Sequence, residues 1–323
     1  MTAACRFLLL LAASLGLLPA SSWAEVCVGR PLTLLIGYPP GGSTDLTGRT
    51  VAEELSRVLR TPVVVENLGG AGGALAAQKL IAAAPDGCTL MVGANNELVI
   101  NQHINRQIRY DGLKDFTPLG LVASQPLVLV ASAKAGVSNL QEFVDKVRRQ
   151  PGQASYGSSG VGTSLHLAGE LIKEKAGLDM VHVPYRGVAP LTSDLLGNTL
   201  EYGIFVLSSA LPHVRSGKLV ALGTTEARRS SLTPDIPALS EHPALKDIHV
   251  GTWFMLVGPR GMPQPMVQTL RRALDEVLKS PALRQKLEAS GSTVVAAQPD
   301  LQAFMAAESS KFRRMAEVAR IEP

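Results

Sequence analysis

The sequence is poor in aromatic residues, in clustered charge and in metal-binding patterns. Only 4% of its 323 residues are aromatic, which excludes the stacking platforms typical of proteins that bind single-stranded nucleic acid. The 31 basic and 27 acidic residues give a net charge of +4, and the basic residues are scattered, so charge does not indicate a nucleic-acid partner. The six histidines lack the spacing of metal ligands. We therefore expect no metal, no cofactor and no nucleic acid.

Long apolar runs are also lacking, except at the N-terminus. There, Arg6 precedes the apolar stretch Phe7–Leu18, and Ser22-Trp23-Ala24 places small residues at the two cleavage positions. This pattern predicts a secretory signal peptide, residues 1–24, that is cut after Ala24. The alternative is a membrane anchor, for which the apolar stretch is short. The mature protein is therefore expected to be soluble and exported.

Only two cysteines follow this leader, Cys27 and Cys88. In an exported chain, two cysteines favour a disulfide. Each lies just before an apolar run, LTLLIG (32–37) or TLMVGA (89–94). If these runs are neighbouring parallel strands, both cysteines lie at the same edge of the sheet. The alternative is a pair of free, buried thiols.

Apolar runs alternate with helical periodicity along the chain. LTLLIG, PVVVEN (62–67) and TLMVGA are predicted strands with a turn and a helix between each pair, which predicts a doubly wound β-α-β-α-β unit. TPLGLVASQPLVLVAS (117–132) is predicted to form two strand segments, one on either side of Gln125-Pro126. The β-α pattern then occurs a second time, which indicates two α/β lobes.

The stretch YPPGGSTDLTGR (38–49) follows the first strand and opens a helix. Its prolines and glycines leave backbone N–H groups uncovered at the helix N-terminus, beside the hydroxyls of Ser43 and Thr44. Such a terminus binds anions through its orphan donors and its macrodipole. The alternative is a plain turn in which Ser43 or Thr44 caps the helix. Asp45 is expected to act in the first helical turn as a capping or loop-shaping carboxylate, paired with Arg49.

A second stretch of the same kind is YGSSGVGTSLHL (156–167). It also follows a strand and opens a helix, and it supplies the hydroxyls of Ser158, Ser159, Thr163 and Ser164. His166, one turn into this helix, is a candidate ligand contact, with a packed histidine as the alternative. Two such sites in two lobes predict a small anion that is held from both sides.

The order of these motifs resembles the Bug family, the periplasmic solute-binding receptors of tripartite tricarboxylate transporters. The matching segments are YPPGGSTDLTGR, VVVENLGGAGGALAA, APDGCTLMVG, YDGLKDFTPLGLV, SYGSSGVGTSLHLAGE, VHVPYRG, GKLVALGTTEARRSSLTPDIPALSE and TWFMLVGPRGMPQPMV. The resemblance covers essentially the whole mature chain. It implies an α/β, two-lobed type II periplasmic-binding-protein fold with a central cleft. Lobe I is expected at residues 25–122 plus 226–323 and lobe II at residues 123–225.

The resemblance also implies a function. The family binds small carboxylic acids, such as di- and tricarboxylates, acidic amino acids and aromatic acids, for the membrane subunits of a transporter. We therefore expect a periplasmic, monomeric receptor that catalyses nothing. Asn95 and Asn96, after the third strand, lie at the sheet edge where α/β proteins bind ligands. The expected ligand-binding residues are Tyr38, Pro40, Gly41, Gly42, Ser43, Thr44, Asp45, Asn95, Asn96, Ser158, Ser159, Gly160, Thr163, Ser164, His166 and Phe205.

The chain departs from the family pattern in two places. Cys88 stands where the family usually has tyrosine in D-G-Y-T, which supports its pairing with Cys27. In GNTLEYGIFVLSS (197–209), Glu201 takes the place of the usual aspartate, and Phe205, Val206 and Leu207 follow. No carboxylate is evident there for an ammonium group, so an apolar or aromatic acid is favoured over an amino acid.

Two other functions are alternatives. One is a ligand sensor that feeds a sensor kinase without transport, and the sequence does not separate it from a transport receptor. The other is an exported α/β hydrolase that uses Ser159 or His166. A hydrolase needs a base and an orienting acid beside its nucleophile, and no motif in the sequence supplies them.

Overall fold

The computed structural model of the protein describes residues 26–321. The predicted signal peptide, residues 1–24, lies outside these residues. Within them, no helix is both long enough and apolar enough to cross a bilayer. In the same part of the chain, His, Cys, Asp and Glu side chains form no group of three that could hold a metal ion.

The three apolar runs of the first third form a parallel sheet, as predicted. Strand β1 (Leu32–Ile36) lies between β2 (Val63–Asn67) and β3 (Thr89–Ala94) and pairs in parallel with both. Helices α1 (Ser43–Leu59) and α2 (Ala74–Ile81) make the crossovers. Strand β1 is the central strand of the three, and both of its faces are covered. This explains why its sequence is a continuous hydrophobic run.

The remaining elements complete two sheets and their helices. After β3 come a π-helical turn (Asn96–Ile100), α3 (Asn101–Ile104) and β4 (Phe116–Ser132). The second sheet and its helices comprise α4 (Leu140–Arg149), β5 (Ala154–Ser158), α5 (Ser164–Ala176), β6 (Met180–Pro184), α6 (Val188–Leu196), β7 (Tyr202–Val206), α7 (Leu207–Arg215) and β8 (Leu219–Thr224). The chain then returns to the first sheet through β9 (Gly251–Pro259), α8 (Gln264–Lys279), α9 (Pro281–Ala289), β10 (Thr293–Val294) and α10 (Leu301–Val318).

Strand β4 belongs to both sheets. Residues 116–126 pair with β9, and residues 127–132 pair with β7 and β8. The two strand segments predicted here are therefore one strand of 17 residues. Pro126 is tolerated because it lies at the last pair with β9, directly before the pairing with β7 begins. The carboxyl ends of β1 and β3 face those of β5 and β7 across the cleft between the two lobes.

The segment 226–250 packs on the second lobe, whereas the sequence assigned it to the first. Ala238 forms a β-bridge with Thr224 at the end of β8, and the ring of His242 hydrogen-bonds Gln141 of α4 at 3.1 Å. Strand β8 ends at Thr224, and the chain re-enters the first sheet at Gly251.

Candidate functional site

The loop after β1 leads into helix α1, whose uncapped N-terminus lies at a cavity. Gly42 is the N-cap residue of α1, and no side chain caps this helix. The alternative in which Ser43 or Thr44 caps α1 is therefore wrong. Instead, both residues are buried in the cavity wall, and the N–H groups of this first turn are available to an anion.

Asp45 shapes this loop from behind. Its carboxylate accepts hydrogen bonds from the backbone N–H of Gly41 at 2.9 Å, from Arg49 at 3.0 Å and from the Asn67 amide at 2.8 Å. Burial raises the pKa of Asp45, but the Gly41, Asn67 and Arg49 contacts outweigh burial and hold the pKa below its ordinary value. Neither Asp45 nor Gly41 lines the cavity, so both support the loop without facing a ligand.

The cavity lies between the lobes and has a volume of about 110 Å³. Most of its wall is apolar. The polar groups are hydroxyls, the Asn96 amide and the Arg186 guanidinium, and none of the described residues that line it is acidic. It is lined by Tyr38, Pro39, Pro40, Gly42, Ser43, Thr44, Ala94, Asn96, Ser159, Ser164, Leu165, Arg186, Gly187, Val188, Ala189, Pro190, Val206 and Thr252.

The second lobe contributes its own uncapped helix N-terminus, but from α6. Gly187 is the N-cap residue of this nine-residue helix, and no side chain caps it. Gly187, Val188 and Ala189 all line the cavity opposite α1. The φ of Gly187 is +102°, a conformation that favours glycine and lets the backbone approach the cavity. The sequence analysis above did not identify this turn, although RGVAP has a glycine that can serve as N-cap and a proline that the first turn of a helix tolerates.

Helix α5, which the sequence predicted for this role, has two of its first three N–H donors hydrogen-bonded, those of Ser164 and His166. The N–H of Ser164 donates to Asn96 Oδ1 at 2.9 Å, and the N–H of His166 lies 3.4 Å from the Thr163 hydroxyl. The N–H of Gly162 donates to His166 Nδ1 at 3.0 Å. Ser159 and Ser164 still line the cavity, while the His166 ring faces its own loop.

Two stacked histidines support the loop before α5. The rings of His166 and His182 lie 3.8 Å apart, and His182 Nε2 is 2.7 Å from Ser158 Oγ. Burial, and then the neighbouring His166, lower the pKa of His182 to about 4, and burial lowers that of His166. The Ser158 side chain is fully buried and also contacts the backbone of Gly160. This serine–histidine pair, which the sequence did not reveal, therefore fixes the loop and is closed to a substrate.

A wider outer chamber of about 900 Å³ continues from the cavity. Both spaces are lined by Tyr38, Pro40, Ser159 and Arg186, whereas Gly160 and Thr163 line only the outer chamber. The exposed guanidinium of Arg186 makes no hydrogen bond or ion pair with any residue in the described part of the chain. Arg186 belongs to the matching segment VHVPYRG, but it was not among the ligand-binding residues expected from the sequence.

Two predicted ligand contacts lie elsewhere. The fully buried Asn95 donates from Nδ2 to the carbonyl of Gly251 at 3.0 Å. Phe205 is also fully buried and packs in an apolar cluster with Val128 of β4. Successive side chains alternate across a strand, so it is Val206, the next residue of β7, that lines the cavity.

A buried carboxyl group lies behind the cavity wall. Glu97 is 1% exposed, accepts from the N–H of Ala94 at 2.9 Å and lies 3.2 Å from the Tyr38 hydroxyl. Burial raises the pKa of Glu97 to about 7, although the N–H of Ala94, its own N–H and the Tyr38 hydroxyl partly oppose this effect. Burial also raises the pKa of Tyr38 well above its ordinary value.

Glu97 is expected to make stability fall as the pH rises from about 4.5 to 7. In this window the folded state holds a proton that the unfolded state has released, so the free energy of unfolding decreases by about 3 kcal/mol. Glu97→Gln keeps an acceptor for Ala94 and removes the titration. Urea unfolding at pH 5 and pH 8 should show this loss in the wild type and not in the variant. As a control, Glu54→Gln should retain the wild-type loss, because the pKa of Glu54 is lowered. Equal pH slopes in wild type and Glu97→Gln would contradict the prediction.

Comparison with known proteins gives one family. The model described as "Tripartite tricarboxylate transporter family receptor" matches residues 47–320. Protein BugT of Bordetella pertussis is 32% identical over 291 residues, which cover 90% of this chain and 89% of BugT. A solved R. palustris structure with adipate is 28% identical, with a TM-score of 0.88, and covers 92% of this chain and 99% of that one. The structure of MatC from Rhodopseudomonas palustris with bound malate is 29% identical, with a TM-score of 0.83, over 89% and 99% of the two chains.

Proposed function

The chain belongs to the tripartite tricarboxylate transporter receptor family, and we propose that it captures a small carboxylic acid in the cavity between its lobes. The observation that carries the proposal is the pair of uncapped helix N-termini, α1 and α6, that face this cavity from opposite lobes. Backbone N–H groups there would give a carboxylate charge-assisted hydrogen bonds. The receptor acts in the periplasm, delivers the acid to the membrane subunits of a transporter and catalyses no reaction.

The cavity wall also suits a particular kind of acid. Leu165, Val188, Ala189 and Val206 surround the space with apolar surface, which favours a hydrocarbon or aromatic body. Because no acidic side chain lines the cavity, an ammonium group would find no partner, and a free amino acid is disfavoured. Adipate and malate, which are bound by relatives of known structure, are therefore suitable first acids to test.

Arg186 adds a charge at the junction between the cavity and the outer chamber. A second anionic group that extends from the cavity would meet this guanidinium. The guanidinium is exposed, so its contribution is expected to be about 1 kcal/mol or less, or a factor of up to about 5 in affinity. Closure of the lobes around the acid would then exclude water from the inner end of the ligand.

Calorimetric titration of residues 25–323 with adipate, malate, benzoate, glutamate and a neutral sugar tests the proposal. At least one of adipate, malate and benzoate is expected to bind and to raise the melting temperature. The sugar is expected to do neither. Arg186→Gln should weaken binding of diacids several-fold and leave benzoate nearly unchanged. Arg149→Gln, at an exposed position of α4, is the matched control. Binding of the sugar alone, or of none of the acids, would contradict the proposed function.

A further inference from the structure

One side chain of the first lobe contacts the first turn of a helix in the second. Asn96 follows β3 and is 5% exposed. Its Oδ1 accepts a hydrogen bond of 2.9 Å from the backbone N–H of Ser164, the first residue of α5. The bond is buried in the cavity wall, and it joins the lobes directly at the place where a ligand would lie.

The orientation of the Asn96 amide is fixed by a hydrogen bond to Tyr38 within the first lobe. Its Nδ2 donates to the Tyr38 hydroxyl at 2.7 Å, and that hydroxyl in turn lies within hydrogen-bond distance of Glu97. Both ends of the amide are therefore occupied, with the carbonyl oxygen aimed at α5. Chains of this kind strengthen each bond through polarisation and hold a side chain in one rotamer.

We propose that Asn96 is a positioning residue that latches the lobes together by capping α5 across the cleft. The inference rests on the proposed function, because closure matters only if the cleft captures a ligand. When the lobes separate, the Ser164 N–H and Asn96 Oδ1 must each exchange this bond for water. A buried hydrogen bond of this type changes an equilibrium by about 3- to 10-fold. Asn96 thus lowers the fraction of open protein and slows the escape of a bound acid.

The position of Ser164 allows the N–H donor to be removed without loss of the helix. Proline is common as the first residue of a helix, because its missing N–H is not needed there. The preceding residue, Thr163, has φ −64° and ψ 159°, which is the extended conformation that proline requires before it. Ser164→Pro therefore removes the latch donor and preserves α5. Ser164→Ala keeps the donor and removes the hydroxyl, together with its 3.4 Å contact with the Thr252 hydroxyl, which Ser164→Pro also loses.

Closure can be measured without any ligand from the distance between two spin labels. One label is attached at Lys175→Cys in the second lobe and the other at Arg272→Cys in the first. Asn96→Ala and Ser164→Pro are each expected to raise the ratio of open to closed protein about 3- to 10-fold. The double variant should be no more open than Ser164→Pro alone, because Asn96→Ala and Ser164→Pro remove the same bond between Asn96 and the Ser164 N–H. Ser164→Ala loses only the 3.4 Å contact between the Ser164 hydroxyl and the Thr252 hydroxyl of β9, so it is the baseline for Ser164→Pro and should be clearly less open than Ser164→Pro.

With adipate as the probe, Asn96→Ala should raise the dissociation rate constant several-fold and change the association rate constant little. If Ser164→Pro matches Ser164→Ala, or if the two single effects add in the double variant, the latch is disproved. If adipate and the other acids fail to bind any variant, the proposed function fails instead, and the distances in the free protein still decide whether the latch exists.

Discussion

Replacing Cys27 and Cys88 together with serine is expected to lower the free energy of unfolding by about 4 kcal/mol. The structure joins these residues in a disulfide between positions 61 apart, with their Cα atoms 5.3 Å apart. Opening a loop of this length returns about 4 kcal/mol of chain entropy to the unfolded state. Both cysteines are buried, so the change also leaves polar hydroxyls in apolar surroundings. Urea unfolding of the mature protein measures the loss.

Reduction provides the matched control for this prediction. A thiol reductant should destabilise the wild type by a similar amount and leave the double serine variant unchanged. Ligand affinity should change little, because the cysteines precede β1 and β3 while the cavity residues follow these strands. A loss of stability below 1 kcal/mol would show that the closed loop adds little in the native protein.

Ser43→Asp is expected to weaken the binding of any carboxylic acid about 1,000-fold, or by about 4 kcal/mol. The new carboxylate would occupy the proposed anion site and place a like charge beside the ligand in a poorly hydrated space, which costs several kcal/mol. The fold should be preserved, since an acidic residue in the first turn of a helix is stabilising. Calorimetric titration with the tightest acid from the panel measures the effect.

Two further variants identify the cause of this loss. Gln264→Asp places the same charge at the first position of α8, away from the cavity, and should not affect binding. Ser43→Ala removes the hydroxyl and keeps the backbone N–H, so it should weaken binding by less than 10-fold. If Ser43→Ala were as damaging as Ser43→Asp, the hydroxyl and not the helix N-terminus would be the main partner of the acid.

The sequence predicts the fold better than it predicts the boundaries of the lobes. The parallel unit of β1, β2 and β3 follows from apolar runs that only a doubly covered sheet can bury. The continuity of β4 was not predictable, because Gln125-Pro126 has the composition of a turn. Only the pairing partners on either side, β9 and then β7, keep this segment extended. The segment 226–250 likewise lacks a strong period, and its place is decided by tertiary contacts with β8 and α4.

The residues that line the cavity match the sequence-based expectation more closely in the first loop than in the second. Gly42, Ser43 and Thr44 line the cavity because the turn that uncovers their N–H groups is encoded locally by glycine and proline. Helix α5 has an equally suggestive local sequence, but the N–H of Ser164 donates to Asn96, and a contact between residues so far apart in the chain cannot be recognised in the local sequence. Phe205 shows a different limit. A strand prediction without its register cannot tell which of two neighbouring side chains faces the cleft.

The shared strand has a consequence for how the protein unfolds. Because β4 supplies pairing partners to β9 in one lobe and to β7 and β8 in the other, neither sheet is complete without it. Loss of β4 from one lobe would expose a long apolar edge in the other, so the lobes are expected to melt as one cooperative unit. The amides of β4 should then exchange with solvent only through global unfolding, and the proposed closure of the cleft should not change their exchange rates.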